Sequence, residues 1–403
     1  MTKFILVFCL VTTLCVGGAA NRVHAEQISD ATSINLLLRL FDAIAEQNPN
    51  YDDTLEAIAA LEPPQQKERL AAHAEHNAHN PRITMLIDSL LALPAYRLYY
   101  RQFTGVTPDI HFSVFTALPY RAIRSPGGIG LAQFELFHHR DSLRGLVEMI
   151  SKVSVDRSAS IARKWVPPGD SPIPTTYYIL DGYGDAFVKD GPICFDLYGI
   201  LLRKRSLSSR YHDLANAPTT EIEAVLAHEF QHFFARPHLY PPTRKFDRWQ
   251  DLWEDVIIRR IVSEGTAQQC NAPSGFNREI KEDSVVVGFW LHELERVIGQ
   301  IRRNEITEDS VRAWLDRSYQ ESARQLLADY LARTYPEADQ RSLLQEHGID
   351  RPSGIYTLGW WMISHIVDAE GVRDAAVQLL ITPHELFRVY NTSITDTRLK
   401  IAL

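Results

Sequence analysis

Residues 224–237, AVLAHEFQHFFARP, are the stretch that most constrains the fold. Pro218-Thr219-Thr220 precede it, and Glu223 stands three residues after Thr220. That pattern is a capping box, with Thr220 at the N-cap of the helix that follows. Pro237 predicts its end. At about 100° per residue, Ile222, Leu226, Phe230 and Phe233 form one apolar stripe. His228 and His232 lie about 40° apart on a face away from the centre of that stripe, and Glu229 lies between the two faces.

Two core histidines would sit on the apolar stripe, and two solvent histidines would need no partner elsewhere. Two imidazoles one turn apart on one face are what a zinc site takes from a helix. A glutamate beside the first is placed to take a proton from a water on such a metal. The chain carries its own comparisons. His292-Glu293 and His384-Glu385 repeat the first dipeptide, but Arg296 and Arg388 stand four residues after each histidine. An arginine offers no lone pair, so these read as pairs on a helix surface. In HAEHNAH, residues 73–79, His73, His76 and His79 spread over about 120° of a helix with no completing carboxylate or cysteine, which reads as a solvated face.

A catalytic zinc usually has three protein ligands. His238 follows Pro237, and Ala235 stands where HExxHxxGxxH needs glycine. The stretch WQDLWEDVIIRRIVSEGTAQQ offers a better candidate. On a helical wheel Trp249, Trp253, Ile257 and Ile261 make a stripe with Glu264 in its middle. A carboxylate there needs a cation, a dense hydrogen-bond set or a metal. The alternatives are a buried pair with an arginine such as Arg260, or another third ligand, Glu254 or His238. Asp255 points away from the stripe.

These residues resemble the gluzincin metallopeptidases. The resemblance rests on His228, Glu229 and His232, then Ser263-Glu264-Gly265-Thr266-Ala267, with 32 residues from His232 to Glu264. More closely, the chain is similar to a poorly characterised bacterial family assigned as zinc-dependent proteases. The motifs cover about 175–269, and a weaker likeness extends to Tyr356-Thr357-Leu358-Gly359. Thermolysin-like members carry an aspartate four residues after the glutamate to orient a histidine; here that position is Gln268, whose carbonyl could do so without charge. The resemblance implies a zincin-like fold and peptide hydrolysis, with Zn2+ on His228, His232 and Glu264 and Glu229 as general base. Tyr356 and His365 are candidates for stabilising an oxyanion. On one helix they lie about 180° apart, so at most one faces the metal. Tyr356 shares a stripe with Trp360, Ile363 and Val367, so core packing is its other reading.

The surroundings fit an α+β, mostly helical chain. SINLLLRLFDAIAEQ, TLEAIAALE and RITMLIDSLLAL have helical spacing, and Asn48-Pro49, Pro63-Pro64 and Asn80-Pro81 separate them. More helix is expected within 128–163. Short strands are expected at 175–180, 185–188 and 193–198, with turns at Gly182-Tyr183-Gly184 and Asp190-Gly191. This places a small sheet before the HEFQH helix. Asp185 to Val188 is the candidate edge for an extended peptide. The expected organisation is a signal peptide at 1–25, an N-terminal helical region at 26–165, and a zincin-like region with a helical C-terminal part at 166–403.

Lys3, the apolar run FILVFCLVTTLCV and Val23-His24-Ala25 predict export with cleavage after Ala25, to the periplasm or beyond; cleavage after Ala20 is the alternative. Loss of residues 1–25, Lys3 and Arg22 among them, takes the net charge from −8 to −10. An acidic protein does not invite nucleic acid, and nothing after the leader has the length of a membrane span. The expected partner is a peptide or protein substrate; the sequence leaves oligomeric state open. Cys194 and Cys270 remain after cleavage and could pair. Two other functions compete: a zincin-fold binding protein without catalysis, and a metal-free helical interaction protein. The intact Glu229 argues against the first, and Glu264 within an apolar stripe against the second.

Overall fold

A computed structural model of the chain describes residues 29–47, 64–65, 68, 79–104, 112–113, 116–117, 135–180, 186–188, 191–202, 211–241, 245–270, 284–319, 354–371 and 373–403. The leader, the helix expected at TLEAIAALE, His73, His76 and the turn at 182–184 lie outside these residues.

Strand β1 (Ser29–Asp30) leads into helix α1 (Thr32–Gln47), whose Ile34, Leu37, Leu38, Phe41 and Ile44 are buried at helical spacing. Helix α2 (Pro81–Ala92) starts where Asn80 and Pro81 direct it. The Asn80 side chain accepts from the amides of Arg82 at 2.9 Å and Ile83 at 3.4 Å, and Pro81 takes the first turn, where no amide is missed. Helix α3 (Pro94–Thr104) follows, then the short antiparallel pair β2 (Phe112–Ser113) and β3 (Thr116–Ala117). Helices α4 (Arg140–Ser151) and α5 (Val155–Arg163) lead to the main sheet.

Its remaining strands are β4 (Thr176–Ile179), β5 (Ala186–Val188) and β6 (Ile193–Asp196), in the order β1-β4-β6-β5. β1, β4 and β6 run parallel, with Thr176 opposite Ile193, and β5 closes one edge antiparallel to β6. The strands fall where expected, but β4 pairs with β6 rather than with its sequence neighbour. β6 is buried along its whole length, which suits a central strand covered on both faces. α1 docks on the sheet, and the Ser33 hydroxyl donates to the Tyr178 carbonyl.

The HEFQH helix is α6 (Thr220–Leu239). It departs from expectation at both ends. Thr219, not Thr220, is the N-cap, and no side chain caps it. Glu223 is therefore four residues from the cap. Its Oε1 accepts from the Thr219 hydroxyl at 3.0 Å and from the Ser154 amide at the start of α5 at 3.1 Å. At the other end Pro237 lies inside the helix, which runs on to Leu239. The amide a proline lacks falls in the last turn, where one lost bond is tolerated, and Tyr240 still donates to Arg236 O at 2.9 Å. Buried positions also circle most of α6, from Ile222 and Leu226 to His228, Gln231 and Phe234, while Phe233 is only partly buried. The single stripe was too narrow a reading, because α6 is enclosed by neighbours on several sides.

Helix α7 (Trp249–Gln269) packs on α6 and along α10 (Gly354–Glu370). Between them come α8 (Ser284–Arg302) and α9 (Glu308–Tyr319); α11 (Asp374–Gln378) and α12 (Leu386–Ser393) complete the chain. α7 and α10 cross at Gly265 and Gly359. A Cβ on Gly359 would stand 2.7 Å from both Gly265 N and Ile261 O, so this approach requires glycine. One buried cluster of side chains extends from α1 to the C-terminal helices. The molecule is thus mostly helical with a small mixed sheet. Cys194 and Cys270 are both buried thiols with no disulfide between them, so the pairing left open by the sequence is not made.

Candidate metal centre

α6 presents His228 and His232 one turn apart, and α7 crosses it so that Glu264 faces both. The donor atoms form a triangle. His228 Nε2 and His232 Nε2 are 3.0 Å apart, and Glu264 Oε2 lies 3.6 Å from the first and 3.4 Å from the second. Tetrahedral zinc at 2.0–2.1 Å from its ligands sets them roughly 3.3 Å apart. The three sides match that spacing. Among the described residues this is the only such group of three or more metal-binding side chains.

The surroundings support the same fit. Glu264 is only 9% exposed, and its Oε2 accepts no hydrogen bond although both imidazoles are near. Burial alone would raise its pKa. The nearby imidazoles, His232 first and then His228, outweigh burial and hold the carboxyl well below the usual carboxylate range. For His232 burial works downward, but the Glu264 carboxylate, with a smaller contribution from Glu229, lifts the imidazole above its ordinary value. An imidazole pair and a carboxylate converging on one point with an unbonded oxygen could hold a cation by their donor chemistry.

Each candidate can now be placed. Glu229 is buried beside the pair, near enough for its charge to act on His232. Among the described residues, the charged partners of Glu264 are the two histidines. Glu254 is bound to Arg302 on α8 at 2.6 Å and 3.1 Å. His238 lies in the last turn of α6, outside the cluster. Asp255 pairs with Arg259. The two comparison dipeptides are helix pairs, with Arg296 forked onto Glu293 and Arg388 bound to Glu385. Tyr356 is partly buried in the first turn of α10. His365 Nδ1 lies 2.9 Å from Trp361 O, one turn back on its own helix, so this nitrogen is turned to the backbone.

Two roles were not visible in the sequence. Ser263 Oγ lies 3.0 Å from His232 Nδ1, on the far side of the ring from the triangle. Gln268, which the sequence left able to orient a histidine through its carbonyl, donates from Nε2 to the backbone carbonyl of Tyr356 at 3.0 Å and so ties α7 to α10. The signal for Ser263 was its place next to Glu264. Which neighbour it met depended on how α6 and α7 cross.

A family model described as "Putative zinc dependent peptidase (DUF5700)" matches residues 87–397, from α2 to the end of the last helices. No curated protein and no solved structure matches the chain.

Proposed function

The chain belongs to this DUF5700 family, and from that premise we propose that it is an exported zinc peptidase of zincin-like fold. His228, His232 and Glu264 would hold the metal, and Glu229 would act as general base. The observation that carries the reading is the triangle of donor atoms, with sides of 3.0, 3.4 and 3.6 Å.

Zinc bound there would supply a Lewis acid that polarises the scissile carbonyl and lowers the pKa of a water at the site. The chain's own residues do the rest. The two histidines come from one helical turn and Glu264 from a second helix, so the crossing of α6 and α7 sets the site. Glu229, next to His228 on α6, takes a proton from the attacking water onto a carboxylate oxygen. It returns that proton to the amine released when the C–N bond breaks.

The substrate is a peptide or protein in extended form. β5 ends the described sheet on one side and packs against α6, so an extended peptide added along that side would lie near the metal centre. The expected edge began at Asp185; Ala186–Val188 is its described part. Tyr356 is the candidate for stabilising the oxyanion, since His365 turns Nδ1 to its own helix. Export with cleavage after Ala25 would place the mature chain in the periplasm or outside the cell. No helix among the described residues is long and apolar enough to cross a membrane.

The test is hydrolysis of an unfolded protein substrate by the zinc-loaded mature chain, with Glu229→Gln alongside. The parent is expected to cleave. The variant, which removes a base but no metal ligand, should keep its zinc and lose about 100-fold or more in rate. Equal cleavage by both would remove Glu229 from the mechanism. Zinc binding without cleavage of any peptide would favour a binding protein of the same fold.

A further inference from the structure

We infer that Ser263 is a positioning residue for the metal centre. Its hydroxyl fixes the His232 ring, taking the place that a carboxylate or carbonyl commonly holds. The inference rests on the zinc reading above.

An imidazole that gives Nε2 to a metal must carry its proton on Nδ1. A partner for that N–H settles the tautomer and the ring plane before the metal arrives. For His232 the partner is in place: Ser263 Oγ is 3.0 Å from Nδ1, while Nε2 points at His228 and Glu264. Ser263 precedes Glu264 in the chain. One residue of α7 therefore supplies the third ligand and its neighbour orients the second, so the two cannot drift apart. The partner is also neutral. Glu264 already brings one negative charge, and a second carboxylate behind His232 would make the buried cluster more anionic before metal binds. A hydroxyl sets the ring without adding that charge.

A parallel link separates this role from plain helix docking. Gln231, the residue before His232, donates to Thr266 Oγ1 at 2.8 Å, three residues after Ser263. Both Gln231 and Thr266 are fully buried, and the Thr266 hydroxyl in turn donates to Val262 O at 2.8 Å. This second link also joins α6 to α7 but touches neither imidazole. Removing it loosens the crossing. Removing Ser263 Oγ frees the ring.

The experiment is zinc affinity by competition with a chromophoric chelator, together with the Tm of the metal-free protein, for the parent, Ser263→Ala, Ser263→Thr and Thr266→Val. Ser263→Ala is expected to weaken zinc binding about 10- to 100-fold with little change in metal-free Tm. Ser263→Thr, which keeps a hydroxyl, should restore most of the affinity. Thr266→Val should lower the metal-free Tm and cost less affinity than Ser263→Ala. Unchanged affinity in Ser263→Ala overturns the inference alone. So does a Thr266→Val loss as large as that of Ser263→Ala, which would reduce the serine to helix docking. A parent that binds no zinc overturns the functional reading and this inference together.

Discussion

A buried carboxylate whose oxygen accepts no hydrogen bond costs several kcal/mol unless a cation faces it. Glu264 is such a group, and its two imidazoles define what that cation does to pH dependence. In the metal-free protein His232 is lifted above its ordinary 6.5. Because the folded value is raised, its contribution to stability is fully present below 6.5 and is lost as pH rises through the folded value. Zinc needs the same imidazole unprotonated, so protons compete with the metal as pH falls. Zinc affinity is therefore expected to rise with pH, while the Tm of the metal-free protein falls as pH climbs above about 6.5. A chelator titration at several pH values, paired with melting curves, checks both signs; a flat affinity would remove the raised His232 from the account. At this scale much was legible. His228, Glu229 and His232 share one helical turn, and local periodicity alone relates them. Glu264 was legible because a charge in an apolar stripe requires an explanation. Ser263 and Gln268 were not, because the groups they meet belong to other helices.

The elements that hold the site are α6, α7 and α10. Gly265 stands next to Glu264, and across from it lies Gly359, so the backbone of α10 is a fixed floor under the third ligand. Gln268 adds a side-chain tie to the same helix. A methyl at position 359 would meet Gly265 N and Ile261 O at 2.7 Å, both backbone atoms that cannot turn aside. Gly359→Ala is expected to destabilise the fold by about 1–3 kcal/mol and to weaken zinc retention, because α7 must shift and carries Glu264 with it. Differential scanning calorimetry with and without zinc checks this, and a variant with the parent's Tm would show that the helices part without cost. The sequence placed these helices well in their interiors and less well at their ends. Thr219 rather than Thr220 stands at the N-cap position of α6, with Glu223 drawn to the start of α5, and Pro237 is carried inside because only the last turn follows it.

Across the whole molecule, a helical body surrounds a small sheet that lies beside the HEFQH helix. The short strands themselves were legible from β-branched and aromatic runs between glycines. Their order was not: β4 pairs with β6 in parallel and β1 joins from the N-terminus, choices made by tertiary contact rather than by neighbouring turns. The contacts of α1 with β4 and of α5 with α6 cross the boundary expected at residue 165, and the matched family span crosses it as well. All of this serves to bring one carboxylate from α7 against two imidazoles from α6. The measurement that tests this most directly is zinc per chain, by elemental analysis of the purified mature protein and of Glu264→Ala after equal exposure to zinc and removal of excess. The account predicts close to one zinc in the parent and a large loss in the variant. A parent that holds no zinc after reconstitution, or a variant that holds as much as the parent, would contradict it.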